Sequence, residues 1–108
     1  MEFDLVVNDE TIERCFLVYD EVGYGYDEDE NGNYINFAEA TVLKVTWYKE
    51  DDDCDVDDIV TVRVAEVYNF PLPNVIVEWH DESFKNDINA VGLLNEAKSD
   101  LLNEFENK

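Results

Sequence analysis

The sequence predicts an α+β fold: an antiparallel sheet of five or six strands with one C-terminal amphipathic helix packed on it, in a single acidic domain over residues 1–108. Three observations predict it. Apolar and polar residues alternate with period two through the middle of the chain, and the last quarter switches to a period near 3.6. The chain is 45% apolar and 13% aromatic, which supplies a core for a domain of this length.

Taken in order, Phe3, Leu5 and Val7 alternate with Asp4, and Thr11–Tyr19 is rich in β-branched and aromatic residues, the composition that fits a pleated, half-buried surface. Phe16–Tyr26 reads as extended in spite of Gly23 and Gly25. Between Tyr24 and Phe37 lies DEDENGNY, whose Asn31-Gly32 pair signals a type I′ hairpin turn. Thr41–Tyr48 is the clearest strand: Leu43, Val45 and Trp47 share one face, and Lys44 and Thr46 the other. Ile59–Tyr68 follows the same rule, with Val60, Val62 and Val64 opposite Thr61 and Arg63. Asn69–Asn74 (NFPLPN) holds both prolines and reads as a turn. Val75–His80 sets Val77 and Trp79 against Glu78 and His80. At 100° per residue, Ala90, Leu94, Ala97 and Phe105 fall within about 40° of Leu101, one apolar stripe. This places a helix from Ser83 or Asp87 to Glu106, with either residue able to cap it.

Charge dominates the rest. Asp and Glu number 28 against 7 Lys and Arg, a formal charge of −21. A sphere of this chain length would be about 34 Å across, and 21 phosphates occupy roughly 36 Å of B-DNA. The balance excludes a basic DNA-binding domain and a binder of anionic membranes. The aromatic and aliphatic content argues against the disorder that such charge often brings.

The acids are clustered. No Lys or Arg occurs between Cys15 and Leu43, where Asp20, Glu21, Asp27, Glu28, Asp29, Glu30 and Glu39 fall. Glu50, Asp51, Asp52, Asp53, Asp55, Asp57 and Asp58 lie within nine residues and read as a second acidic loop. Glu96, Asp100 and Glu104 repeat every four residues on the terminal helix, where like charges at this spacing cost a few tenths of a kcal/mol per pair. Tyr24, Tyr26, Tyr34, Trp47 and Tyr48 flank the two loops. Aromatic anchors supply buried area and carboxylates supply steering. The expected partner-binding set is therefore Tyr24, Tyr26, Asp27–Glu30, Tyr48, Glu50–Asp53, Asp55, Asp57, Asp58, Glu96, Asp100 and Glu104.

Other chemistries fit less well. Asp27, Asp29 and Asn31 with Gly32 match the opening of an EF-hand loop, which makes them a weak calcium candidate. The twelfth position is Ala38, however, with Glu39 one residue late, and the flanks look extended rather than helical. His80 with two distant cysteines does not make a zinc site. Ser83 and Ser99 lack a nucleophile-elbow context, and Gly23-Tyr-Gly25 lacks the third glycine of a phosphate loop. Cys54, among carboxylates that disfavour its thiolate, is a poor nucleophile. These features argue against an enzyme, and no cofactor is called for.

In size, charge and clustering, though in no alignable motif, the chain looks like the small acidic DNA-mimic proteins that phages and mobile elements direct against CRISPR or restriction nucleases. That resemblance implies an inhibitor whose carboxylates stand in for phosphates. The partner would be a basic nucleic-acid-binding protein such as a Cas or restriction nuclease, with no direct contact to nucleic acid or membrane. An immunity protein that neutralises a nuclease toxin would use nearly the same physics. A calcium-binding module using the 27–39 loop is the alternative of a different class. The acidic start carries no signal-peptide or membrane-span pattern, so a cytoplasmic setting (the host cytoplasm for a phage protein), free thiols and a monomer or small homo-oligomer are expected.

Overall fold

Each strand pairs with its sequence neighbour, so the sheet is an antiparallel meander in the order β1-β2-β3-β4-β5. Its strands are β1 (Glu2–Asp4), β2 (Ile12–Glu28), β3 (Tyr34–Tyr48), β4 (Cys54–Val67) and β5 (Asn74–Trp79). A 3₁₀ turn at Glu82–Phe84 leads into helix α1 (Ile88–Glu106). The computed structural model describes residues 2–28, 31, 32, 34–50, 53–67 and 74–106, with the backbone alone at 22–27, 34, 35, 66, 67, 105 and 106. The expected turn at Asn69–Asn74 lies outside these residues except for Asn74, which opens β5.

The predicted strands are present but longer, and this corrects the picture of acidic loops. β2 runs unbroken through Gly23 and Gly25 to Glu28. Its last pair, Glu28 with Tyr34, leaves an odd number of residues, 29–33, in the connection. The type I′ turn expected at Asn31-Gly32 falls partly on residues outside the description, Glu30 and Asn33 among them. Gly32 has φ +77°, the left-handed position that three- and five-residue hairpin loops assign to glycine. β4 begins at Cys54, not Ile59, so Asp55, Asp57 and Asp58 are strand residues. Cys54, expected in an acidic loop, opens the strand.

One extra residue in β4 explains why its pattern hid the strand. Val42 pairs with Val60 but Leu43 pairs with Asp58, leaving Ile59 as a bulge. Its carbonyl accepts from the amides of His80 (2.8 Å) and Asp81 (3.1 Å), and its side chain is fully buried. A one-residue shift flips every later side chain to the other face. Val60, Val62 and Val64 therefore face the helix, while Val56 and Asp58 face away from it.

Helix α1 lies across β2, β3 and β4. Ala90, Leu93, Ala97 and Leu101 are fully buried against Leu17, Ala38, Ala40, Val42, Val60, Val62 and Val64. The predicted stripe is correct at Ala90, Leu94, Ala97 and Leu101, gains Leu93, and ends at Phe105, whose side chain is outside the description. Alanines on both layers let helix and sheet approach closely, and each buried Leu or Val adds about 1.5–3 kcal/mol. The helix starts at Ile88 because the Asp87 carboxylate accepts from the amides of Asn89 (3.0 Å) and Ala90 (2.9 Å), a cap typically worth about 1 kcal/mol. Ser83 instead belongs to the 3₁₀ turn, where it donates to Asp81.

The apolar set Leu43, Val45 and Trp47 shares a face as expected, but that face is the one away from α1. Among the described residues no helix or strand lies over it. Both cysteines are free. Cys15 is level with Thr46 on the helix side and Cys54 with Trp47 on the other, with β3 between them. Two inter-strand spacings, roughly 9.6 Å, exceed the reach of a disulfide. The Cys15 thiol instead meets the buried Thr46 hydroxyl at 3.6 Å.

The molecule is a rod of 54 × 25 × 25 Å with a radius of gyration of 16.4 Å, not a sphere. Long, lightly staggered strands with a helix over only part of their length produce this shape. Spread over 54 Å, the net charge amounts to one per roughly 2.6 Å, sparser than the ~1.7 Å of B-DNA.

Candidate functional site

The carboxylates gather around two tyrosine hydroxyls at different places along the sheet. The first group forms where α1 crosses β2. Residues 17, 19 and 21 of β2 alternate toward the helix, Leu17 into the core and Tyr19 and Glu21 beyond it. The Tyr19 hydroxyl donates to Asp100 Oδ2 at 2.5 Å. That bond, partial dehydration and the charges of Asp100, Glu96 and Glu21 push the phenol up to about 12, so it remains a donor at neutral pH. Glu21 is raised from its ordinary value, first by dehydration against the helix and then by the charges of Glu104 and Asp100. Among the described residues, no Lys or Arg pairs with Glu21, Glu96, Asp100 or Glu104.

The second group lies about 20 Å away, six residues along β3 at ~3.3 Å each. Tyr48 donates to Asp55 Oδ2 at 2.8 Å. The phenol is raised by that bond, by slight dehydration, and by the charges of Asp55, Asp57 and Asp9. Lys44 stands 3.9 Å from Asp57 and 6.0 Å from the centre of the Phe84 ring. These side chains border a cleft of about 430 Å³ between the Leu5–Val7 segment and the ends of β2–β4, with Cys15 and Thr46 also lining it. Asp9 is held below the usual carboxylate range by hydrogen bonds from the Thr11 amide and hydroxyl.

Arginine has a separate role. The chain has two, Arg14 and Arg63, and each sits over a phenylalanine ring on the face away from α1. The Arg14 guanidinium is 4.2 Å from the Phe16 ring centre and bonds Asp4 (2.8 Å) and Glu2 (2.9 Å). Arg63 is 3.9 Å from the Phe37 ring centre and 3.3 Å from Glu39.

The expected partner-binding residues divide accordingly. Glu96, Asp100 and Glu104 come together with Tyr19 and Glu21. Asp100 is half-buried against β2. Tyr48, Asp55 and Asp57 come together in the second group, while Asp58 is exposed on the opposite face. Glu50 and Asp53 are exposed between β3 and β4. Glu28 is exposed at the end of β2. Tyr24, Tyr26 and Asp27 occupy β2 opposite Ala38, Asn36 and Ile35, with side chains outside the description. Asp29, Glu30, Asp51 and Asp52 lie outside it entirely. Of the calcium candidates, Asp27 is thus a strand residue and Asn31 a turn residue, flanked by strands rather than the helices of an EF-hand. His80 is exposed just past β5, its Nε2 2.8 Å from the Thr61 hydroxyl.

Sequence reasoning missed Tyr19 and Glu21 as members of an acidic site. Their spacing of two after Leu17 was the available signal, but their proximity to residue 100 depends on where the helix crosses.

Comparison of the chain with protein-family models, with curated proteins and with solved structures gives no match. Among the described residues, no helix is long and apolar enough to cross a membrane.

Proposed function

We propose that this chain is an inhibitory binding protein acting as a nucleic-acid mimic, whose carboxylates occupy the basic nucleic-acid site of a nuclease such as a Cas or restriction enzyme. One observation carries the reading. Glu21, Glu96, Asp100 and Glu104 are gathered on helix and strand with no base among the described residues to pair them, and Glu21 is raised first by dehydration and then by the charges of Glu104 and Asp100. Such an arrangement costs stability, so a partner's Arg and Lys are the natural complement. Rigid placement on secondary structure spares the entropy of ordering a loop on binding. In this reading the carboxylates meet the side chains that hold phosphates, and complementary charge speeds association.

The test is an affinity capture from a bacterial lysate, challenged with duplex DNA. A nuclease released by DNA supports the proposal, and an acidic or neutral partner overturns it. With the target in hand, the quadruple variant Glu21→Gln, Glu96→Gln, Asp100→Asn, Glu104→Gln should lower the association rate at least tenfold at low salt, within the range that steering contributes. Its salt dependence should flatten as well.

A further inference from the structure

Charge is only one chemistry on this surface; the uncovered face of the sheet carries another. Register aligns Phe16 with Val45 and Val45 with Val56, puts Val18 opposite Leu43, and sets Trp47 beside Cys54. These residues occupy one end of three adjacent strands and point away from α1. Phe16 and Val45 at the centre are 7% and 9% exposed, shielded by their neighbours and by the Arg14 guanidinium, while Trp47 and Val56 are 39% and 53% exposed. An antiparallel sheet with one solvated face ordinarily turns polar residues outward. Here the outward face has an apolar centre.

Its rim indicates the occupant. Asp20 and Asp58 border the patch and make no ion pair among the described residues, and Glu2 and Asp4, both paired with Arg14, lie across it on β1. A second copy of the chain would bring −21 against −21, carboxylate rim against carboxylate rim. A basic partner meets the opposite sign. Arg14 displays the contact that such a partner would repeat, a guanidinium over Phe16 with its nitrogens on Glu2 and Asp4.

We infer that the open face around Phe16, Val45, Trp47 and Val56 is a docking surface for a basic protein that presents apolar side chains among its arginines. The inference rests on the inhibitor reading and deepens it: the partner is held by an apolar centre inside an acidic rim, not by phosphate-like contacts alone. Interfaces with this anatomy concentrate their energy in central aromatic residues, Trp above all.

Two synthetic peptides of equal charge, one alternating Arg with Leu and one alternating Arg with Gly, provide the test against the full-length ¹⁵N-labelled chain. The indole signal of Trp47, identified through Trp47→Phe, reports on the patch. The Arg–Leu peptide should bind at least tenfold tighter than the Arg–Gly peptide at 0.5 M salt and shift the Trp47 indole. The double variant Trp47→Ser, Val56→Ser should abolish that difference; both side chains are exposed, and an unchanged melt would show that the variant folds. Equal binding of the two peptides with no Trp47 shift would overturn the docking surface and leave the electrostatic reading standing. No binding of either peptide at low salt would overturn both. A dimer seen by sedimentation in 1 M salt and lost in the double variant would assign the face to a second copy instead.

Discussion

The two faces of the sheet are made by the same strands and closed by different means. On the helix side, Ala38, Ala40, Val42, Val60, Val62 and Val64 are at most 1% exposed beneath α1. On the other side no second layer is present among the described residues, and the two arginines lie as lids on Phe16 and Phe37. The first face is closed by dispersion and the hydrophobic effect, the second by scarce cations in a chain with four acids for every base. What distinguishes them is how much charge each can carry. On the helix-covered side the described carboxylates stand at the margins, Glu21 and Asp100 at one end and Asp55 and Asp57 at the other. The open face brings acids and apolar groups side by side.

Stability measurements can break this comparison. Leu101→Ala, in the fully buried layer, should cost about 2–5 kcal/mol by urea unfolding, whereas Val56→Ala on the open face should stay within about 0.5 kcal/mol. Similar costs at the two positions would mean that the open face is covered in the free protein. Arg63→Ala should have an intermediate effect, about 1–2 kcal/mol, because it removes the lid from Phe37 together with the ion pair to Glu39. A neutral result there would remove the guanidinium lids from the account.

The smallest effect concerns acid. Glu21 binds its proton more tightly in the folded state than in the unfolded one, where its ordinary value is 4.5. Its protonated form therefore contributes stability that is fully present below 4.5 and lost as pH rises through the folded value. Thermal melts should show stability rising on acidification from pH 7 toward 4.5. Asp9 and Asp81 act in the opposite sense only around and below their ordinary 3.8, because hydrogen bonds hold both of them low. Glu21→Gln should melt higher than the parent at pH 7 and show a flatter profile. A profile unchanged in this variant would separate Glu21 from the helix carboxylates.

Much of the fold was legible because period is local. Val60, Val62 and Val64 show their shared face in the sequence, and Ala90, Leu94, Ala97 and Leu101 their stripe. Ile59 was not legible as a bulge: one unpaired residue is recognised only against the partner strand, and without it CDVDDIV looks like an acidic loop. Asn31-Gly32 signalled a turn correctly. Of the candidate site, the acids on the helix could be named, but their neighbours could not, since Tyr19 and Asp100 are 81 residues apart.

By itself, then, the sequence determined the class of fold, the charge and the strips of side chains that each element offers, since alternation and helical period depend on neighbours a few residues away. Only the tertiary structure decided which face of the sheet the helix covers, where the strands slip register and which carboxylates meet. Those outcomes depend on contacts between residues distant in the chain, and they turned a charge of −21 into two tyrosine-centred groups and an acid-rimmed apolar face.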